Sequence, residues 1–182
     1  MLALLAGFQS GCGFSPPTEP PCPTCHEPPP NYPILSDPYN VMEAYRLAYQ
    51  ARDSVKMKEI YDDTYIGTSI DQSSPDSIQS LTFNKSQEVS HVGAMAKATI
   101  TSVTLTLPGA LLRETDQADP PGWALIGLQQ GTVSLQIDDG ATSYVIVSDK
   151  ENFEFRFVPT TPAPTSPTDT TWKIIRWHEF RN

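Results

Sequence analysis

No run of roughly 18 or more apolar residues occurs in the chain, so no helix in it is long and apolar enough to span a bilayer. Basic residues are scarce: 12 Lys and Arg stand against 21 Asp and Glu, giving a formal net charge of −9. The few cations are scattered singly, which excludes a protein that tracks nucleic-acid phosphates by releasing their counterions. There is no phosphate-cradling glycine loop, no nucleophile elbow and no HExxH motif. No metal site is expected, because a zinc centre needs four ligands and only Cys22, Cys25 and His26 lie close together. Internal repeats and coiled-coil heptads are also absent. What remains is one globular domain and a tail within 182 residues, enough chain to bury a core.

The tail comes first. Residues 2–8, LALLAGF, form a short apolar run that leads into Ser10-Gly11-Cys12, the layout of a secretory signal ending in a lipobox. This resembles the start of a bacterial lipoprotein, with residues 1–11 as the signal peptide and Cys12 as the lipid anchor. It departs from that pattern in having Gln9 where leucine is usual and no Lys or Arg before the apolar run. A spacer follows over residues 12–36. Ten prolines from Ser15 to Pro38 favour extended polyproline II, so the segment holds a domain away from a membrane surface and forms no core. Inside it, Cys22-Pro23-Thr24-Cys25-His26 matches the CxxCH pattern of c-type haem attachment. The flanking prolines oppose the helix that usually carries that motif. A small Cys22–Cys25 disulfide in an oxidising compartment and a chance pattern in a Cys/Pro-rich linker are the other readings. No cofactor is therefore expected, with haem c as the exception to test.

The domain is expected over residues 37–182. Asp37 and Pro38 open a helix whose Val41, Met42, Tyr45, Ala48 and Tyr49 share one face. Asp53 or Ser54 opens a second, shorter helix with Val55, Met57, Ile60 and Tyr61 as its apolar positions, and an extended segment begins at Tyr65-Ile66. Gly67–Ser80 reads as polar and turn-rich. A third helix is expected near Asn84–Met95, with Val89, Val92 and Met95 inward. Period-two alternation then takes over: Ile100, Val103 and Leu105 end at Pro108-Gly109, and a loop runs through Asp119-Pro120-Pro121-Gly122. Long strands follow, with a tight turn at Asp138-Asp139-Gly140 and an interruption at Asp149-Lys150-Glu151. Phe153, Phe155 and Phe157 line one face of the later strand, and Pro159–Thr171 is a long hairpin loop. The last strand, TWKIIRWHEF, alternates Trp172, Ile174, Arg176 and His178 against Lys173, Ile175, Trp177 and Glu179. Apolar bulk on both of its faces makes it central.

These features give an α+β class in which N-terminal helices pack on the concave face of a curved antiparallel sheet. The stretches AYRLAYQARDSVKMKEIYDD and WKIIRWHEF resemble the opening helices and closing strand of NTF2-like proteins, also called SnoaL-like or cystatin-like in fold. The whole resembles bacterial lipoproteins that carry such a domain behind a spacer. The resemblance implies a cone with a pocket between helices and sheet, with Tyr45, Tyr49, Arg176 and His178 as candidate pocket residues and His91 as a neighbour. It implies no complete catalytic set: Tyr45 matches the tyrosine of isomerase-like members, but Thr68 or Ser69 stands where their catalytic Asp lies, and Asp71 would need a register shift. Asp62-Asp63 resemble the family's acidic pair but are more simply read as a helix-ending turn. The leading expectation is a non-catalytic, envelope-anchored protein that binds a small ligand or a protein partner, or pairs with itself through the sheet. An isomerase or dehydratase in the same pocket, and a haem-bearing electron carrier, are the alternatives.

Overall fold

The computed structural model describes residues 30–71, 79–97, 99–128, 131–149, 153–160 and 170–181. Cys12 and the Cys22–His26 motif therefore lie outside the described residues. Helix α1, Pro38–Ala51, starts as the sequence implies: one Asp37 carboxylate oxygen accepts from the backbone N–H groups of Tyr39 and Asn40 at 2.8 and 3.0 Å, with Pro38 in the first turn. Val41, Met42, Ala44, Ala48 and Tyr49 form its buried face. Arg52 closes the helix in the left-handed conformation, φ 56°, and its N–H reaches the carbonyls of Ala48 and Tyr49. Asp53 then caps α2, Ser54–Ile60, by accepting from Val55 and Lys56. Met57 and Ile60 are fully buried, whereas Val55, expected inward, is 80% exposed. Two residues from Met57 is about 200° around a helix, so the pair that sets the buried stripe turns Val55 to solvent.

Strand β1, Tyr61–Asp71, follows α2 without a loop. Asp62-Asp63 therefore begin a strand and do not end a helix, and Gly67 lies inside the strand and not in a turn-rich segment. The inward residues Tyr65, Gly67 and Ser69 supply the period-two pattern. Strand β2, Gln79–Asn84, pairs antiparallel with β1 and runs straight into α3, Lys85–Lys97. Asn84 and Gln87 cap that helix reciprocally, each side-chain carbonyl accepting from the other's backbone N–H at 3.0 and 2.9 Å. Val92 and Met95 are buried in the core, as the helical spacing requires.

Seven more strands complete the fold: β3, Ser102–Thr106; β4, Leu111–Glu114; β5, Ala124–Leu128; β6, Thr132–Asp138; β7, Ser143–Asp149; β8, Phe153–Thr160; and β9, Thr171–Arg181. They form a six-stranded sheet, β2-β1-β9-β8-β5-β4, and a three-stranded sheet, β3-β6-β7. Each successive pair β3/β4, β5/β6 and β7/β8 places one strand in each sheet, so the second sheet continues the first after a bend. Strand β7 ends at Asp149 in the smaller sheet and β8 begins at Phe153 in the larger one; Lys150 and Glu151 of the expected interruption lie outside the described residues. Strand β4 occupies part of the stretch expected as loop, because Leu111–Glu114 pair with Leu125–Leu128. The β6–β7 turn is built as expected: Gly140 has φ +85°, and Asp139 accepts from Ala141 and Thr142 at 2.9 and 2.7 Å. The free edge at β7 exposes Tyr144, Val145, Ile146 and Val147.

Strand β9 is central, parallel to β1 and antiparallel to β8. Arg156 pairs with Arg176 while Phe157 pairs with Ile174, which makes Ile175 an extra residue in β9. This bulge reverses the alternation halfway along the strand. Ile174, Trp177 and Glu179 share the inner face with Phe157, Phe155 and Phe153, and Arg176 and His178 turn to the outer face with Arg156 and Glu154. The helices cover the inner face: α1 packs on β3 and reaches β9, while α2 packs against α3. Met42, Met57, Ile60, Tyr61, Ile126, Phe155, Phe157 and Ile174 form the center of the core.

Candidate ligand-binding cavity

Between α1, α3 and the two sheets the core leaves a cavity of about 690 Å³, within the size range of small-molecule sites. One wall is apolar, made by Leu105 of β3, Val133, Leu135 and Ile137 of β6, Ile146 of β7 and Phe153 of β8. Other lining residues carry the chemistry: Tyr45 and Tyr49 from α1, Glu88 and His91 from α3, and Trp177 and Glu179 from β9. Tyr45 keeps some accessible surface only because it lines this space. Its ring otherwise lies deep in the protein, 5.4 Å from Phe155 and 6.4 Å from Tyr61 between centroids.

Four tyrosines cluster here. Tyr61 and Tyr65 of β1 stack at 4.2 Å, and Tyr45 and Tyr49 lie 5.6 Å apart. Burial pushes all four hydroxyls above the usual phenol range, and the charges of Glu88 and Glu179 push Tyr45 and Tyr49 further. The Tyr65 hydroxyl donates to Glu88 Oε1 at 3.2 Å. Burial raises the Glu88 carboxyl above its ordinary value, and the Tyr65 hydrogen bond offsets part of that rise. Glu179, only 5% exposed, accepts from the Ser69 hydroxyl at 3.0 Å, and the two residues are paired across β1 and β9. The indole Nε1 of Trp177 is buried and has no hydrogen-bond partner among the described residues.

Gly67 makes this convergence sterically feasible. A Cβ on it would collide with the Tyr65 hydroxyl and lie 2.9 Å from Trp177 Cε3 and 3.2 Å from Glu88 Oε1. The residue's value is the space it leaves, since any side chain would separate the three groups.

Two of the candidate pocket residues, Tyr45 and Tyr49, line the cavity, as does their candidate neighbor His91, whose ring is 6.5 Å from that of Tyr49. Arg176 and His178 do not line it. They extend from the outer face, because the Ile175 bulge breaks the strict alternation that put them inward. There His178 Nδ1 lies 2.9 Å from Glu154 Oε1, and Arg176 donates to the carbonyls of Thr64 and Ile175 and stacks over Trp123. Arg156 joins the same outer layer, pairing with Glu154, Asp116 and Asp119. Sequence reasoning missed Glu88 altogether and read Trp177 and Glu179 only as strand residues. The spacing of Glu88, Val92 and Met95 at i, i+4 and i+7 was the available signal, since it places a carboxylate on the buried stripe of α3.

Solved structures share this architecture, two of them as follows. An NTF2-like superfamily protein from Salmonella enterica serovar Typhimurium superimposes with a TM-score of 0.51 at 12% identity, over 76% of this chain and 83% of that one. The fold is NTF2-like. A conserved protein from Planctomyces limnophilus gives a TM-score of 0.52 at 10% identity, over 78% of this chain and 91% of that one. No family model matches the chain, and no curated protein does either. At such identities the likeness carries the NTF2-like fold, and the chemistry must be read from the cavity itself.

Proposed function

We propose that the protein is an envelope-anchored lipoprotein whose NTF2-like domain holds a small amphipathic molecule in the cavity between helices and sheet. The observation that carries the binding role is a cavity of about 690 Å³ whose lining joins apolar side chains to tyrosines, carboxylates and an indole N–H with no partner among the described residues. A well-filled core would not leave such a space, and a buried donor without a partner is what a ligand acceptor would satisfy. The anchoring role rests on the apolar run before Ser10-Gly11-Cys12 and on the proline-rich spacer. The full chain should enhance the fluorescence of a neutral apolar dye such as Nile red, and filling the apolar wall with Leu135→Trp should abolish the effect while leaving the circular dichroism unchanged. Persistence of the signal in that variant would place binding elsewhere. In a bacterial host, Cys12→Ser should shift the protein from the membrane to the soluble fraction; an unmodified residue 12 in an uncut native chain would overturn the anchor.

One observation favours a second reading, proton transfer of the isomerase or dehydratase type. The resemblance left Thr68 or Ser69 where isomerase-like members carry a base, and in the structure Glu179 is paired across the strands with Ser69 and hydrogen-bonded to it. A carboxylate is thus delivered to the cavity from the neighbouring strand. Exchange of the α-protons of a bound ketone in D2O, lost in Glu179→Gln, would establish this reading over simple binding.

A further inference from the structure

We infer that the cavity takes a neutral alcohol: an apolar body whose hydroxyl donates to the Glu88 carboxyl and accepts from the Tyr49 hydroxyl. The inference rests on the cavity being a binding site and names the class of molecule that the site selects.

Three observations carry it. First, Glu88 lines the cavity with bonding capacity in reserve. A carboxylate offers two oxygens and about four acceptor sites. Among the described residues one hydrogen bond reaches it, from the Tyr65 hydroxyl to Oε1 at 3.2 Å. Burial raises its pKa, the response of an acid that has lost water and gained a single bond in return. Second, Tyr49 is only 7% exposed and lines the same space, and its hydroxyl makes no hydrogen bond among the described residues. A phenol placed so deep in a protein ordinarily has a partner, so this one is available to a polar group that enters the cavity. Third, the two groups act on each other: Glu88 is the charge that influences Tyr49 most strongly, and it raises the phenol's pKa. One small polar group can therefore meet both.

A hydroxyl is that group. It carries one donor and two acceptor lone pairs, so a single oxygen gives its proton to Glu88 and takes a hydrogen bond from Tyr49. It also suits both states of a carboxyl whose pKa burial has raised, donating to the carboxylate or accepting from the acid. An ether or ketone only accepts. Beside the carboxylate it would answer Tyr49 and leave Glu88 with the Tyr65 bond alone. The hydrocarbon of the alcohol is received by Leu105, Val133, Leu135, Ile137 and Phe153, which line the same cavity.

The test titrates three probes with one body into the full chain at pH 7, by calorimetry and by displacement of Nile red: 4-phenylbutanol, its methyl ether and 4-phenylbutylamine. The alcohol should bind about tenfold more tightly than the ether, which keeps the oxygen and lacks the donor. Tyr49→Phe and Glu88→Leu should each bring the alcohol to within about twofold of the ether, with ether binding itself within about twofold of the parent as the sign that the variants are folded. Tyr49→Phe, which removes a single oxygen, carries the test if Glu88→Leu does not fold. Equal affinities of alcohol and ether, an alcohol preference that survives in either folded variant, or an amine that outbinds the alcohol would overturn the inference while the cavity stands as a binding site. If no probe binds or displaces the dye, the binding reading falls with it.

Discussion

The two faces of the six-stranded sheet treat acidic side chains in opposite ways. On the outer face Glu154 sits between His178 and Arg156, and Arg156 also reaches Asp116 and Asp119. The His178 hydrogen bond, with the Arg156 guanidinium beside it, holds the Glu154 carboxyl down to about 2. On the inner side Glu88 has a phenol for a partner, and burial moves its carboxyl upward. On the outer face cations fasten the acid into a layer of ion pairs that organises the strands, while beside the cavity Glu88 is met by the hydroxyl of Tyr65.

The comparison can be broken most forcefully in the core packed on the inner face. Phe155 is 1% exposed and stacks edge-on with Phe153 and Tyr45 at 4.8 and 5.4 Å. Phe155→Ala should cost about 3–5 kcal/mol in denaturant unfolding, the range of large aromatic deletions from a packed core. The outer face should respond through pH. Because the folded Glu154 carboxyl lies below its unfolded value of 4.5, its contribution is present above that value and is lost as the pH falls from 4.5 toward about 2. Glu154→Gln should therefore lower stability by about 1–2 kcal/mol at pH 7, a figure discounted for the 31% of the side chain that meets solvent, and by nothing near pH 2. Stability measured at the two pH values checks this.

Glu88 should behave with the reverse sign. A raised carboxyl contributes stability that is fully present below the unfolded value of 4.5 and lost as the pH rises through the folded one. Glu88→Gln, which keeps an acceptor for the Tyr65 hydroxyl and cannot ionise, should match the parent at pH 4 and exceed it in stability at pH 8. Parallel pH profiles for the Glu88 and Glu154 variants would erase the distinction between the faces.

Local chemistry made much of the fold legible. Asp37-Pro38 and Asp53 carry their cap signals in adjacent residues, the α1 face repeats at helical spacing, and Phe153-Phe155-Phe157 alternate strictly. These are short-range patterns, and each is written within one or two turns of chain. Strand β4 was illegible because its four residues have only a pairing partner, β5, to define them. Gly67 looked like a turn because its role, room for Tyr65, Trp177 and Glu88, belongs to side chains distant in sequence. Tyr45 and Tyr49 could be assigned to the cavity from their helix face together with the resemblance to NTF2-like proteins. Arg176 and His178 could not be placed correctly, since period two carried across an invisible extra residue returns the wrong face.

That extra residue, Ile175, acts as a phase shifter. Upstream of it the strand is in step with its neighbours in one parity, downstream in the other, and the lining of the cavity depends on a count and not on a composition. Were the bulge closed with every residue of β9 kept, so that Ile175 paired with Arg156, Arg176 and His178 would move to the inner positions beside Phe155 and Phe153, and Trp177 and Glu179 would turn outward. An indole and a carboxylate would give way to a guanidinium and an imidazole at the cavity, with no residue substituted.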